Sequence, residues 1–143
     1  MSKQWRTGEQ DLAVLRGGYE AFSAKDADAY VALCDPEIHF SPMVAGVEGG
    51  YRGEAGIRAW LDEMRATFTE STVAIEEVEV AEGMFLVHAT FHGRGRGSNV
   101  EVVQPLVHAV DVRAGLVRWF AAYRSRDEAL AGIRSRVALG LSK

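Results

Sequence analysis

Residues 100–112, Val-Glu-Val-Val-Gln-Pro-Leu-Val-His-Ala-Val-Asp-Val, and residues 116–123, Leu-Val-Arg-Trp-Phe-Ala-Ala-Tyr, flank the break Arg113-Ala114-Gly115. Both runs are rich in β-branched and aromatic residues, which suit a pleated, half-buried surface. A glycine-containing break of about three residues closes a hairpin. The pair reads as a long antiparallel hairpin on which the rest of the chain packs.

With 143 residues, 48% of them hydrophobic and 25% charged, the chain is expected to form one domain over 1–143 with a core of its own. The single cysteine, Cys34, has no internal partner for a disulfide, which favours a reducing, cytoplasmic setting. The polar opening Met-Ser-Lys-Gln-Trp-Arg and the absence of a long apolar run argue against secretion and membrane insertion. A net charge of −4 gives no reason to expect nucleic acid as partner. Arg94 and Arg96 sit among glycines between two strand-like runs, the composition of a solvated hairpin tip.

Thr7-Gly-Glu-Gln10 has capping-box spacing, and Leu12, Leu15, Tyr19 and Phe22 then recur as one helical stripe. The adjacent Gly17 and Gly18 suggest close packing beside Tyr19. Asp26 is placed to cap a second helix from Ala27 to about Cys34. Glu37-Ile-His-Phe-Ser41 alternates as a short strand, and a glycine-rich yet apolar loop at 43–53 could fold over something. A third helix is expected from Glu54 to about Phe68, with Ile57, Leu61, Met64 and Phe68 on one face. In the strand expected at 72–82, Glu76-Glu77 interrupts the alternation of Val73 and Ile75 with Val78 and Val80, the mark of a β-bulge. The strand at 84–92 has an apolar side, Phe85, Val87, Ala89 and Phe91, and a mixed side, Leu86, His88, Thr90 and His92. Ser125-Arg-Asp-Glu128 is a second capping box, opening a helix with a Leu130, Ile133, Val137 stripe. The whole is α+β: a curved, mainly antiparallel sheet with helices on one face and a hollow between them.

This order of elements resembles the nuclear transport factor 2-like superfamily, and within it the SnoaL-like branch. The residues that carry the likeness are the aromatic on helix 1, Lys25-Asp26-Ala27-Asp28, Asp35-Pro36-Glu37, Gly50-Tyr51-Arg52-Gly53 before helix 3, and the strand running into Tyr123. The resemblance implies a cone whose sheet wraps helices around an internal apolar pocket. It also implies a small apolar ligand without a cofactor, and homodimerisation through the outer sheet face, here assigned to Leu86, Leu106 and Val110. Family members include ketosteroid isomerases and polyketide cyclases as well as proteins that only bind or dimerise. The isomerases' Asp-Pro base corresponds here to Ser41-Pro42, and their acid before a histidine to Val107 before His108. Two of three groups are therefore missing, and isomerase chemistry is not expected.

Carried over on that alignment, His39 and Ser41 face the cone, with His39 either a general base or a hydrogen-bonded wall residue. Tyr19 supplies a phenol donor. Arg118, alternating with Phe120 and Ala122, either holds an anionic group or pairs with Glu101. Tyr51 and Trp60 sit at the rim or in the core, and Val87, Ala89, Phe91, Val103, Val107, Ala109 and Phe120 line the pocket. Asp111 shares their face as a pocket acid or a solvated strand end. His88, His92 and His108 fall on the opposite face, and no metal site is assigned because no third ligand is seen at a confirming spacing. Two functions remain open: an acid/base enzyme in which His39 moves a proton while Tyr19 or Arg118 stabilises negative charge, and a non-catalytic binding or dimerisation module.

Overall fold

A computed structural model describes residues 2–42 and 50–141 of the chain, with side chains described from Gly8 onward. In chain order the elements are α1 (Ser2–Ser23), α2 (Ala27–Ala32), β1 (Cys34–Ser41), β2 (Tyr51–Arg52) and α3 (Gly53–Thr67). Then come β3 (Phe68–Ala81), β4 (Met84–Gly95), β5 (Glu101–Arg113), β6 (Leu116–Tyr123) and α4 (Arg126–Ala138). The fold is α+β, with one six-stranded sheet in the order β2-β1-β6-β5-β4-β3. Every neighbouring pair is antiparallel except β1 with β6.

Local chemistry sets most element ends. Asp26 caps α2 by accepting from the Ala29 amide at 3.0 Å. Ser125 accepts from the Glu128 amide at 3.2 Å to open α4, while the Glu128 carboxylate reaches back to the Arg124 amide. At the start of the chain the expectation fails, because the helix runs on through Thr7 to Ser2. Of the apolar loop expected at 43–53, residues 43–49 lie outside the described residues. The Arg94–Arg96 segment leads off the end of β4 into an exposed turn before β5, the solvated hairpin tip that its composition suggests, and Arg96 has a further role there. Arg96 donates to the Arg65 carbonyl at 2.8 and 3.1 Å and to that of Phe68 at 3.3 Å, so it satisfies carbonyls at the end of α3.

The β5–β6 hairpin closes through only two residues, since Arg113 still pairs with Leu116. Ala114 and Gly115 have φ of 55° and 80°, positive at both central positions as a type I′ turn requires. Alanine pays a Cβ penalty there that asparagine, more tolerant of this region, largely avoids. Ala114→Asn is expected to raise unfolding free energy by about 0.5–1 kcal/mol, read from urea midpoints at unchanged slope.

Two cores lie on opposite faces of the sheet. On one, Leu15 and Phe22 of α1, Tyr30 of α2 and Ile57, Trp60 and Met64 of α3 pack on Ile38, Phe40, Val87, Ala89, Phe91, Leu106 and Val110. On the other, Ala129 and Ile133 of α4 cover Met84, Leu86, Val107 and Ala109. The helices therefore do not share one face: α1 to α3 fill the concave side and α4 straps the outer side. A bulge at Glu76 lets β3 keep its apolar side inward on both sides of the two glutamates, because the register shifts between Ile75 and Glu77.

Candidate ligand cavity

The inward face of each strand follows from its pairing. Val87 of β4 is inward, and its partner across the ladder is His108; Ala89 faces Leu106, and Phe85 faces Val110. Opposed residues share a face, so the even positions of β5 point toward the helices. On β6 an extra residue, Arg118, stands between the Asp111–Trp119 and Val112–Val117 pairs. This bulge makes Val117 and Phe120, rather than Arg118, line the inside. On β1, Ile38 and Phe40 are buried while His39 and Ser41 are exposed.

Between the helices and this face lies a partly open cavity. It gives the centre of a water-sized molecule about 60 Å³ in which to move, several times the ~10–15 Å³ that one water requires. Its walls are apolar: Leu15, Phe22, Leu33, Met64, Val73 and Leu106 are typical. Among the described residues no Asp, Glu, Lys or Arg lines it. Its polar lining residues are Tyr19 on α1, Tyr30 on α2, Cys34 and His108, while the indole nitrogen of Trp60 is enclosed and its ring serves as wall.

Tyr19 and His108 form a pair, with Oη 2.7 Å from Nδ1 and the rings stacked at 5.7 Å. His108 is 4% exposed, and burial pulls its imidazole down to about 3, so it is neutral at ordinary pH. Burial likewise pushes the Tyr19 phenol above its usual range. Neither group ionises readily, which leaves a neutral hydrogen-bonding pair in an apolar hollow. Burial also holds the Cys34 thiol up at about 12, and its Sγ is spent on the Tyr30 carbonyl at 3.4 Å.

The site expected from sequence is therefore redistributed. Tyr19, Trp60, Phe91 and Phe120 line the cavity. His39 does not: it is exposed on the outer face opposite Trp119, and desolvation together with Arg52 and Arg136 lowers its pKa. Ser41 shares that outer face, one residue out of phase with Phe40, and it is Pro42 that reaches the cavity. Arg118 is the bulged residue and is not among the lining. Tyr51 is buried beside α3, its hydroxyl donating to Glu63 at 3.0 Å. Val87 and Ala89 face inward as core beneath the cavity wall.

All four odd positions assigned to the lining on β5 are on the other side. Val103 is 55% exposed, Val107 and Ala109 lie under α4, and Asp111 is buried there against Arg136 at 3.2 Å. The dimer face assigned to Leu86, Leu106 and Val110 does not exist as drawn, since α4 covers Leu86 and the other two line the cavity. His88 does find a carboxylate: Glu79 lies 2.6 Å from its Nε2, with Glu77 close by, but Arg126 holds both Glu79 oxygens. His108 is the functional candidate that sequence reasoning put on the wrong face.

Comparison with known proteins agrees with this fold. An NTF2-like protein from Burkholderia pseudomallei is similar over 85% of this chain and 95% of its own, at 17% identity and a TM-score of 0.72. TerC, co-crystallised with polyporic acid, is similar over 83% of this chain and 94% of its own, at 15% identity and a TM-score of 0.71. A Mycobacterium tuberculosis protein in complex with estradiol-17beta-hemisuccinate is similar over 82% and 95%, at 19% identity and a TM-score of 0.71. At such identities the likeness concerns the fold alone. No curated protein matches the chain at a significant level. Residues 15–120 match the SnoaL-like domain family. That span runs from the first cavity residue on α1 to Phe120 on β6, and the chain belongs to the SnoaL-like domain family.

Proposed function

We propose that this chain binds one uncharged, ring-bearing small molecule in the cavity, with the Tyr19–His108 pair as its polar contact. The observation that carries this reading is that pair, held at 2.7 Å in walls that are otherwise nearly all apolar. Such a site extracts affinity from buried apolar area and orientation from a few polar atoms. When Tyr19 donates to Nδ1, the neutral ring carries its proton on Nε2, which then donates to a carbonyl or hydroxyl oxygen of the ligand. The ligands of TerC and of the M. tuberculosis protein are ring compounds, which supports the ring-bearing part of the reading, although polyporic acid and the hemisuccinate also carry acidic groups.

Binding, rather than acid/base turnover, fits the lining best. A base needs a group that takes a proton at working pH. Among the described residues the cavity offers no carboxylate, and burial holds its imidazole down at about 3, which makes it a weak proton acceptor.

The test is a titration followed by tryptophan fluorescence, because Trp60 is part of the wall. A neutral steroid and a neutral aryl quinone are expected to quench it saturably, and carboxylated analogues with the charge on the buried end are expected not to. Gly18 also lines the cavity, and a Cβ there meets nothing within 4 Å. Gly18→Leu is expected to keep the fold, since leucine favours a helix over glycine by roughly 0.8 kcal/mol, and to weaken binding at least tenfold. Failure of every neutral ring compound to bind wild type would sink the proposal.

A further inference from the structure

Phe22 of α1 and Met64 of α3 line both the cavity and a second hollow, whose other walls include Lys25, Leu61, Arg65 and Ser71. This hollow is partly open and gives the centre of a water-sized molecule about 20 Å³, room for a group of a few atoms. Ser71 lies on the inward side of β3: Val73, two residues on, lines the cavity, and Ser71 lines the second hollow. The serine is 6% exposed, and its hydroxyl has no hydrogen-bond partner among the described residues. Since that oxygen is not fully enclosed either, the surface it keeps opens on the hollow. Lys25 ends α1 in a Schellman turn, its amide on the Phe22 carbonyl at 3.1 Å and that of Asp26 on the Ala21 carbonyl at 2.9 Å. Its φ is 60°, a conformation in which glycine is usual. Its Nζ donates to the Thr69 carbonyl at 3.4 Å, which draws the ammonium toward β3. Arg65 lies in the last turn of α3, one turn on from Leu61. Among the described residues neither cation forms a salt bridge, and no Asp or Glu lines the hollow.

We propose that this second hollow is a binding site for a small monocarboxylate with a short alkyl chain. Lys25 and Arg65 supply positive charge that no protein carboxylate takes up, and the Ser71 hydroxyl donates to a carboxylate oxygen. Phe22, Leu61 and Met64 cover the alkyl carbons. The same three side chains disfavour phosphate, which is hydrated on every side and would give up water there with no partner in return. A neutral amide of the same shape forgoes the charge-assisted contacts. The site is independent of what the cavity binds, because Lys25, Leu61, Arg65 and Ser71 line the second hollow and not the first.

The experiment titrates the isotope-labelled full chain with sodium butyrate, butyramide and sodium phosphate at one ionic strength and follows backbone amide resonances. Butyrate is expected to shift Leu61 and Ser71 saturably, with a Kd of about 1–10 mM for a ligand of so few atoms. Leu106 and Val110, which line only the cavity, are expected to stay in place. Butyramide and phosphate are expected to bind about tenfold more weakly or worse. Ser71→Ala is expected to weaken butyrate about tenfold, since it removes a buried hydrogen bond to a charged group. Lys25→Gly is expected to weaken it about threefold, the effect of an exposed charge, with no fall in the urea midpoint because glycine suits the left-handed position. That variant separates loss of the cation from loss of the fold. No saturable shift, shifts at Leu106 and Val110 instead, butyramide or phosphate binding as tightly as butyrate, or wild-type affinity in both variants would each overturn the proposal.

Discussion

Asp111→Ala is expected to cost about 3–5 kcal/mol of unfolding free energy, the largest effect of any single substitution considered for this fold. Asp111 is 1% exposed, and its Oδ2 accepts from Arg136 Nε at 3.3 Å and from Nη2 at 3.2 Å. The guanidinium also lies 4.9 Å from the centre of the Trp119 ring, between α4 and the outer sheet face. Without Asp111 a cation stays buried with no counter-charge, or the last turn of α4 lifts to hydrate it; both are costly. The double replacement Asp111→Leu with Arg136→Met removes both charges together and is expected to recover most of the loss, because a well-packed apolar pair replaces a buried ion pair at little net cost. Urea unfolding of the three proteins decides it. An Asp111→Ala variant within 1 kcal/mol of wild type would show that α4 does not depend on this pair.

The second large effect is on acid stability. In the folded chain His108 is held down at about 3 by burial, against an ordinary value of 6.5. Between those values the unfolded chain binds a proton that the folded chain does not. Stability from this group is therefore fully present above about pH 6.5 and is lost as pH falls toward 3, with a slope of about 1.4 kcal/mol per pH unit. Glu79 acts in the same direction lower down: the Arg126 guanidinium, then His88, hold its carboxyl at about 2. The window between about pH 6.5 and the carboxylate value of 4.5 lies above the range of Glu79; His39, also lowered, contributes there too, so it is the difference in slope between wild type and a variant lacking the pair that isolates His108. A Tyr19→Phe/His108→Leu double variant, which removes both members of the pair together, is expected to flatten the urea midpoint across that window. Equal pH slopes in the two proteins would mean that His108 is not buried as a neutral ring.

The chain advertised its elements more clearly than the facing of its strands. β4 was legible because only one of its sides is wholly apolar, and the β3 bulge was legible because Glu76-Glu77 interrupts a regular alternation. β5 was not legible. From Leu106 to Val112 it is buried on both sides, with the cavity wall on one and α4 on the other, so alternation carries no parity there. A one-residue error then sent Val103, Val107, Ala109 and Asp111 inward and His108 outward. The outer burial was itself hinted at by the Leu130, Ile133 stripe of α4, which needs an apolar surface to cover.

His39 shows a different failure. Simple alternation in Glu37-Ile-His-Phe-Ser41 puts Ile38 and Phe40 inside, which is what the fold does; aligning Ser41-Pro42 with a family motif shifted the strand by one. Arg118 could not be placed from sequence at all, since a bulge in β6 leaves no mark in a run of apolar residues. Gly17 and Gly18 divide the expectation of close packing. A Cβ at Gly17 would meet Leu33 at 3.2 Å, whereas Gly18 opens on the cavity.

The central claim is that the inward face of β5, with His108 paired to Tyr19, forms the ligand site. A crystal structure of the protein soaked with a neutral diketone steroid tests it most directly. The predicted result is density in the hollow between α1, α2 and the sheet, with a ligand oxygen within hydrogen-bond reach of His108 Nε2 and with His39 outside on the solvent face. Density seated instead against His39 and Ser41, or a hollow that stays empty at saturating ligand, would contradict it.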